Sequence, residues 1–352
     1  MKHKFGIIGL GMIAEMHAKA IQDIPEAEVV ACFDVNGERA KEFCATYGGT
    51  PYVDLDRFLA SDEFDIVTIC TPSGLHMESA VAAANAKKHI IVEKPLEITV
   101  ERCDAIIEAA KKHNVVLSGI FPSRFHSVSQ VVKQAIETRR LGPVVLGDAY
   151  VKWYRSQAYY DSSGWKGTWK FDGGGALMNQ SIHAIDLLQW FMGPVTQVTA
   201  YAGTLAHENI EVEDTAVAVL KFANGALGVI EGTTGAYPGF YKRIELSGSK
   251  GSVILEEENL TMWKFAEESP QDEKIRSDFA ALTATGGGAA DPTAIGYHGH
   301  MLQFMDVIEA IDNGTQPLID GAEARKAVEI IQAIYRSAQI GAPVDVPLKK
   351  QV

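Results

Sequence analysis

Lys4-Phe5-Gly6-Ile7-Ile8-Gly9-Leu10-Gly11-Met12-Ile13-Ala14 is the stretch whose reading decides the fold. A short apolar run passes straight into G-x-G-x-x-A and then into an alanine-rich amphipathic segment, so the expectation is strand, tight turn, helix. A second apolar run, Glu28 to Phe33, ends in Asp34, twenty residues beyond Ala14. Each part has a task in gripping a dinucleotide. Gly9 permits the turn out of the strand, Gly11 lets the backbone approach a pyrophosphate, and Ala14 lets the helix lie close on the sheet. Free N–H groups and the dipole at the helix start favour phosphate charge. Gly9, Gly11, Met12, Ile13 and Asp34 are therefore the first expected cofactor contacts. Asp34 is placed to accept bonds from a ribose 2′,3′-diol and to repel a 2′-phosphate, which favours NAD over NADP. Val35 and Asn36 supply no cation for such a phosphate, and Arg39, the nearest, reads as a solvated helix position.

Working outward, strands expected at 5–8, 29–33, 66–70, 90–92 and 115–119 alternate with helices near 13–24, 37–46, 76–86 and 100–113. Apolar strands separated by helices imply a parallel, doubly wound sheet, the α/β Rossmann arrangement. The pattern changes after Phe121. A helix over 127–139 leads through Leu141-Gly142-Pro143 to a β-like run at 144–153, and a helix over 176–191 follows an irregular aromatic stretch. Strands then crowd together at 195–203, 215–222, 226–232, 243–247, 253–256 and 260–264, with Asn224-Gly225 as a hairpin signal. These features predict an α+β domain with one open, mostly antiparallel sheet. The expected division is 1–122 and 123–352. Residues 266–296 read as polar loop, with Gly286-Gly287-Gly288 as a flexible spot, and helices over 298–313 and 322–338 close the chain.

The 352 residues carry 47% apolar side chains and a net charge of −13, which disfavours nucleic acid and anionic membrane as partners. No apolar run is long enough to span a bilayer. The first strand begins too early to leave room for a signal peptide, so the expected location is cytoplasmic. Cys32, Cys44, Cys70 and Cys103 show neither C-x-x-C nor metal spacing and read as reduced packing residues.

Two further segments can carry chemistry. Ile90-Ile91-Val92-Glu93-Lys94-Pro95 ends a buried strand in a charged pair, and ligands of open parallel sheets bind beyond the carboxyl ends of strands. Glu93 and Lys94 are thus either cofactor-site residues or an ordinary strand-ending salt bridge. In Asp172-Gly173-Gly174-Gly175-Ala176-Leu177-Met178-Asn179-Gln180-Ser181-Ile182-His183-Ala184-Ile185-Asp186, three glycines allow close approach of another molecule. Asn179, His183 and Asp186 share one face of an otherwise apolar helix. His183 is either a site residue or a satisfied core histidine. Between these segments, 150–171 is rich in aromatic residues and cations. Trp153, Tyr154, Trp165 and Trp169 are expected to stack on a sugar, alongside residues that serve only to pack the sheet. Arg124, at the domain junction, and Tyr297, opening a late helix, are expected to reach the same substrate. His298 and His300 diverge on that helix and suggest no metal site.

Taken together, Gly9-x-Gly11-x-x-Ala14, Thr71-Pro72-x-x-x-His76, Glu93-Lys94-Pro95, Gly173-Gly174-Gly175, Asn179-x-x-x-His183 and the ending 322–341 resemble the glucose-fructose oxidoreductase/inositol dehydrogenase/MocA family of sugar dehydrogenases, over nearly the whole chain. The resemblance implies an NAD-binding domain and an α+β domain whose open sheet joins copies into a homodimer or homotetramer. It implies hydride transfer between a sugar carbon and nicotinamide. Lys94 and His183 become the catalytic pair, and Thr71, Pro72 and His76 line the nicotinamide side. Many members carry Asp where this chain has Asn179, which can orient His183 but cannot raise its pKa as a carboxylate does. The Asn form resembles the branch acting on nucleotide-linked or glycosidic sugars at the 3-hydroxyl. Two other readings stay open: a glycosidase or lyase using transient sugar oxidation by NAD, and a non-catalytic sugar or cofactor sensor.

Overall fold

The computed structural model describes residues 2–280 and 296–349. The first stretch contains β1 (His3–Ile8), α1 (Met12–Gln22), β2 (Ala27–Phe33), α2 (Gly37–Tyr47), β3 (Thr50–Tyr52), α3 (Leu55–Leu59), β4 (Ile66–Ile69), α4 (His76–Asn85), β5 (His89–Val92), α5 (Val100–His113) and β6 (Leu117–Gly119). It continues with α6 (Ser127–Glu137), β7 (Val144–Lys152), α7 (Gln157–Asp161), a π-helical turn (Ala176–Ser181) running into α8 (Ile182–Met192), β8 (Val195–Gly203), β9 (Thr215–Phe222), β10 (Leu227–Thr233), β11 (Arg243–Gly248), β12 (Gly251–Glu256), β13 (Asn259–Phe265) and α9 (Pro270–Asp278). The second stretch holds α10 (His298–Asn313), α11 (Gly321–Ile340) and β14 (Val344–Asp345). None of the described helices is long and apolar enough to cross a membrane.

Among the described residues the chain divides into two compact units, 2–122 with 296–328, and 123–280 with 329–349. The second domain expected as one run, 123–352, is thus interrupted. The reason is packing: α10 places Phe304, Val307 and Ile308 in the same apolar core as Phe5, Ile7, Ala14, Ala18 and Ile21. The Gln303 side chain accepts from Phe121 N at 3.0 Å and donates to Gly119 O at 2.7 Å, tying α10 to the end of β6.

In the first unit six parallel strands run in the order β3-β2-β1-β4-β5-β6. The order reverses beside β1, so the glycine turn after β1 lies at the switch point, where such sheets bind ligands. The short β3 was not anticipated, because Pro51 lies within its three residues. In the second unit the order is β13-β12-β11-β7-β10-β9-β8-β14. All neighbours are antiparallel except β7 and β10, which pair in parallel from Leu146↔Leu227 to Lys152↔Thr233. Along β9 buried and exposed residues alternate, as expected for a sheet covered on one face. The uncovered face displays Tyr201, Val217, Val219 and Leu227.

The expected loop over 266–296 contains α9, opened by a Ser269–Asp272 capping box with Pro270 in the first turn. Its near-absence of apolar residues hid the helical period. Gly286-Gly287-Gly288 lies outside the described residues. All four cysteines are free, and Cys32, Cys70 and Cys103 are buried.

Candidate active site

The nucleotide end of the first unit is built by β1 and the turn that follows. Gly9 has φ +83°, and a Cβ there would meet Thr71 N at 2.9 Å. Around Gly11 a Cβ meets nothing within 4 Å, so the space over the start of α1 is open. Gly11 is the N-cap of α1 and supplies no side-chain cap, leaving that helix start for an anion. Met12 is exposed beside it, and Ile13 packs against the core. Asp34 closes β2 with one oxygen accepting from Leu10 N (3.0 Å) and the other from Asn36 N (2.8 Å), which fixes the plane of its carboxylate. Arg39 is not simply solvated: its Nη1 reaches Asp34 Oδ2 at 3.3 Å. Thr71 Oγ1 is buried without a hydrogen-bond partner in the structure. An open glycine turn, an uncapped helix start, a fixed carboxylate and a buried hydroxyl lacking a partner suit a dinucleotide.

His76 does not line an open surface. It is buried, with Nδ1 2.9 Å from Pro95 O and Nε2 2.9 Å from Thr71 O, so it ties the segments that follow β4 and β5. Pro72 beside it is half-buried.

Glu93 also departs from the expected cofactor contact. Its side chain turns inward: Oε1 lies 2.7 Å from His17 Nε2 and 3.4 Å from His300 Nε2, while Oε2 accepts from Lys94 N at 2.9 Å. Burial pushes the Glu93 carboxyl up, but the hydrogen bonds and charges of His17 and His300 outweigh it and hold the group well below its usual range. Burial lowers His17, whose other nitrogen is 2.7 Å from Thr68 Oγ1. These three side chains offer ligand atoms within 4.8 Å of one another. At 2.7 Å, however, His17 and Glu93 share a hydrogen bond, and that separation is shorter than the spacing of two ligands around a zinc ion. The cluster anchors the backbone of Lys94, which precedes a cis peptide to Pro95 and is itself half-buried.

The second unit presents the other expected pair. Every residue from Asp172 to Gln189 is buried except Asn179 and His183, which are half-exposed. Asn179 lies in the π-helical turn and His183 in the first turn of α8; π-turns are frequent at functional sites. Asn179 is oriented on both sides: Nδ2 donates to Asp172 Oδ1 at 2.5 Å, and Oδ1 accepts from Gln180 Nε2 at 2.9 Å. Gln180 also donates to Tyr159 OH (3.1 Å), and its Oε1 accepts from Arg155 Nη2 (2.8 Å). Asp172 Oδ2 accepts from Gly167 N at 2.9 Å.

Two glycines of the run before this turn, Gly174 and Gly175, pack closely against their own unit. A Cβ on Gly175 would lie 1.8 Å from Glu213 O, and one on Gly174 would lie 2.2 Å from Tyr335 Oη. The Glu213 carboxylate accepts from Gly175 N (2.9 Å), Leu177 N (2.8 Å) and Tyr335 OH (2.9 Å). Burial pushes this carboxyl up to about 7 against the opposing pull of those bonds. Neither Glu213 nor Tyr335 has a local sequence signal; each meets the glycine run only in the folded chain.

Other expected substrate residues fall elsewhere. Arg124 is 1% exposed, with Nε and Nη2 at 2.8 and 2.7 Å from the two oxygens of Asp186, itself 1% exposed. That buried fork joins the segment before α6 to α8, and it engages the Asp186 side chain that was read as part of a polar stripe with His183. Tyr297 donates to Asp23 at the C-terminal end of α1, away from the glycine turn. Trp153 is buried, with the Arg155 guanidinium 5.1 Å from its ring centre. Trp169 is half-exposed against Tyr335, Trp165 is half-buried, and Tyr154 meets the exposed Tyr237 edge-on at 5.2 Å. Trp153, Tyr154 and Trp169 thus each meet a different neighbour.

Two family descriptions match the chain: an oxidoreductase family NAD-binding Rossmann fold over residues 3–121, and a GFO/IDH/MocA C-terminal domain over 129–254. The chain is similar to myo-inositol 2-dehydrogenase of Thermotoga maritima, with 34% identity over 72% of this chain and 75% of that protein. It is also similar to the WlbA dehydrogenase of Bordetella pertussis, crystallised with NADH and UDP-GlcNAcA, at 36% identity and TM-score 0.89 over 99% of this chain and 98% of that one. A levoglucosan dehydrogenase crystallised with NADH and levoglucosan matches at 26% identity and TM-score 0.86, over 99% of this chain and all of that one. With both domain descriptions matched and these relatives alike over most of its length, the chain belongs to the glucose-fructose oxidoreductase/inositol dehydrogenase/MocA family of NAD-dependent oxidoreductases.

Proposed function

We propose that the chain oxidises the C3 hydroxyl of a nucleotide-linked pyranose. The observation that carries the reading is the half-exposed pair Asn179 and His183 on an otherwise buried segment, its amide oriented by Asp172 and Gln180. The similarity to a WlbA dehydrogenase crystallised with UDP-GlcNAcA supports the nucleotide-sugar class. The resemblance of the Asn179 form to 3-hydroxyl oxidisers supports the position.

Oxidation of an alcohol removes a proton from oxygen as hydride leaves the same carbon. NAD, when bound, supplies the hydride acceptor, and Gly9, Gly11, Asp34 and Thr71 are the residues suited to hold it. His183 takes the hydroxyl proton at Nε2, its Nδ1 side being buried. Lys94, as ammonium, stabilises the developing alkoxide. Asn179 and Gln180 hold the turn that carries His183. The uncovered sheet face with Tyr201, Val217, Val219 and Leu227 supports pairing with a second copy of the chain, since a contiguous exposed apolar patch is costly in water.

The test is NADH formation with UDP-GlcNAcA, UDP-GlcNAc, myo-inositol and levoglucosan, followed by NMR of the product. A 3-keto nucleotide sugar is expected; a 2-keto, 4-keto or lactone product overturns the position. Lys94→Ala and His183→Ala should each lower turnover about 100-fold or more while NAD binding persists.

A further inference from the structure

We propose that Glu213 is a positioning residue: from outside the segment it caps the π-helical turn that carries Asn179 and runs on to His183, and so sets where both side chains stand. This rests on the reading of Asn179 and His183 as site residues and deepens it.

The start of a helix leaves N–H groups without partners inside the helix, and a buried start cannot take water in their place. Residues 172–178 are all buried, and the N-cap of the turn, Gly175, supplies no side-chain cap. One distant residue satisfies three successive N–H groups instead. The Glu213 carboxylate accepts from Gly175 N at 2.9 Å and Leu177 N at 2.8 Å, and the Glu213 carbonyl accepts from Ala176 N at 3.0 Å. Glu213 is buried just before β9, 38 residues beyond Gly175. The Tyr335 hydroxyl of α11 gives the same carboxylate a third donor. The glycines fit this cap, because a side chain at Gly175 would strike the Glu213 carbonyl and one at Gly174 the Tyr335 hydroxyl.

Short links carry the cap to the site. Asn179 N donates to Gly175 O at 3.0 Å, so the residue held by Glu213 in turn holds Asn179. Ser181, also buried, donates from Oγ to Ala176 O at 2.7 Å and occupies a carbonyl at the start of the turn. A helix advances about 100° per residue, so a start displaced by one residue swings Asn179 and His183 together off the face they share. Where the three N–H groups find their acceptor therefore decides which way the pair points.

The experiment measures wild type, Glu213→Gln, Tyr335→Phe and His183→Ala at pH 8, where a carboxyl lifted to about 7 is largely ionised. Glutamine keeps the shape but turns one acceptor oxygen into an amide donor facing an N–H. Tyr335→Phe removes one donor and leaves both N–H bonds. NADH formation is followed on UDP-GlcNAcA, UDP-GlcNAc, myo-inositol and levoglucosan, per folded molecule as judged by tryptophan emission, which all five tryptophans supply from this unit. Histidine ring C–H signals are read by NMR, the His183 signal being the one missing from His183→Ala. Glu213→Gln should lower kcat on the order of 10- to 100-fold with KM for NAD unchanged, and should move the His183 signal. Tyr335→Phe should do both to a smaller extent. A role in stability alone lowers the folded fraction and leaves kcat per folded molecule and the His183 signal as in wild type, which overturns the proposal. If Glu213→Gln does not fold, Tyr335→Phe decides by the same two readouts. If wild type is inert towards all four compounds, or His183→Ala keeps full turnover, the site reading fails and the His183 signal alone judges the cap: moved by Glu213→Gln, the cap stands; unmoved, it falls.

Discussion

Replacing Glu213 with glutamine should flatten part of the pH dependence of stability. Glu213 is buried against Gly175, Leu177 and Tyr335, and burial lifts its carboxyl from 4.5 to about 7. A carboxyl whose folded value lies above its unfolded value is favoured in its protonated form by folding. The stabilisation from that proton is complete below about 4.5 and is lost as pH rises through about 7. At about 1.4 kcal/mol per pH unit, a gap from 4.5 to about 7 corresponds to about 3 kcal/mol. Wild type should therefore lose about 3 kcal/mol between pH 4.5 and 8 relative to Glu213→Gln, whose amide does not titrate. Other groups titrate in both proteins, so they cancel in the difference. The assay is urea unfolding by tryptophan fluorescence at several pH values. All five tryptophans, Trp153, Trp165, Trp169, Trp190 and Trp263, lie in the unit that carries Glu213, so the signal reports that unit's transition. A constant offset between the two proteins at every pH refutes the reasoning, because it means Glu213 titrates alike folded and unfolded.

Three further outcomes follow from the geometry. Asp34→Ala should narrow the preference for NAD over NADP, because it removes the carboxylate and releases Arg39, now 3.3 Å from it, towards a 2′-phosphate; paired dissociation constants measure this. Asn179→Asp places a second carboxylate against Asp172, where Asn179 now donates at 2.5 Å; the pair should retain one proton above the usual carboxylate range, and the pH–rate profile should shift, whereas an unchanged profile separates residue 179 from the chemistry. Arg124→Ala leaves Asp186 buried without its fork and should destabilise the second unit by about 3–5 kcal/mol; a loss under 1 kcal/mol in chemical denaturation contradicts the buried pairing.

The glycine turn, Asp34 and the alternation of strand and helix were legible because each is local: a turn needs its glycine where the chain turns, and a buried parallel strand needs a continuous apolar run. The elements that carry Lys94 and His183 formed where periodicity placed them, whereas the pairing of the two side chains rests on the family resemblance. The placement of Glu93 was not legible. Whether a carboxylate at a strand end faces a cofactor or the interior depends on His17 and on His300, which is 207 residues further along the chain. Arg124 and Asp186 misled for the same reason: a charged residue beside a site motif gives no sign of whether its partner is a substrate or another side chain.

The sequence by itself determined the fold class, the cofactor and the helix that presents Asn179 and His183, because backbone propensity and hydrophobic period act over a few residues. Tertiary structure alone decided the parallel pairing of β7 with β10, the return of residues 296–328 to the first unit, and the closure of Gly174 and Gly175 on Tyr335 and Glu213. These depend on which distant groups share a small volume, and burial, charge compensation and steric fit are properties of that volume and not of the order of residues along the chain.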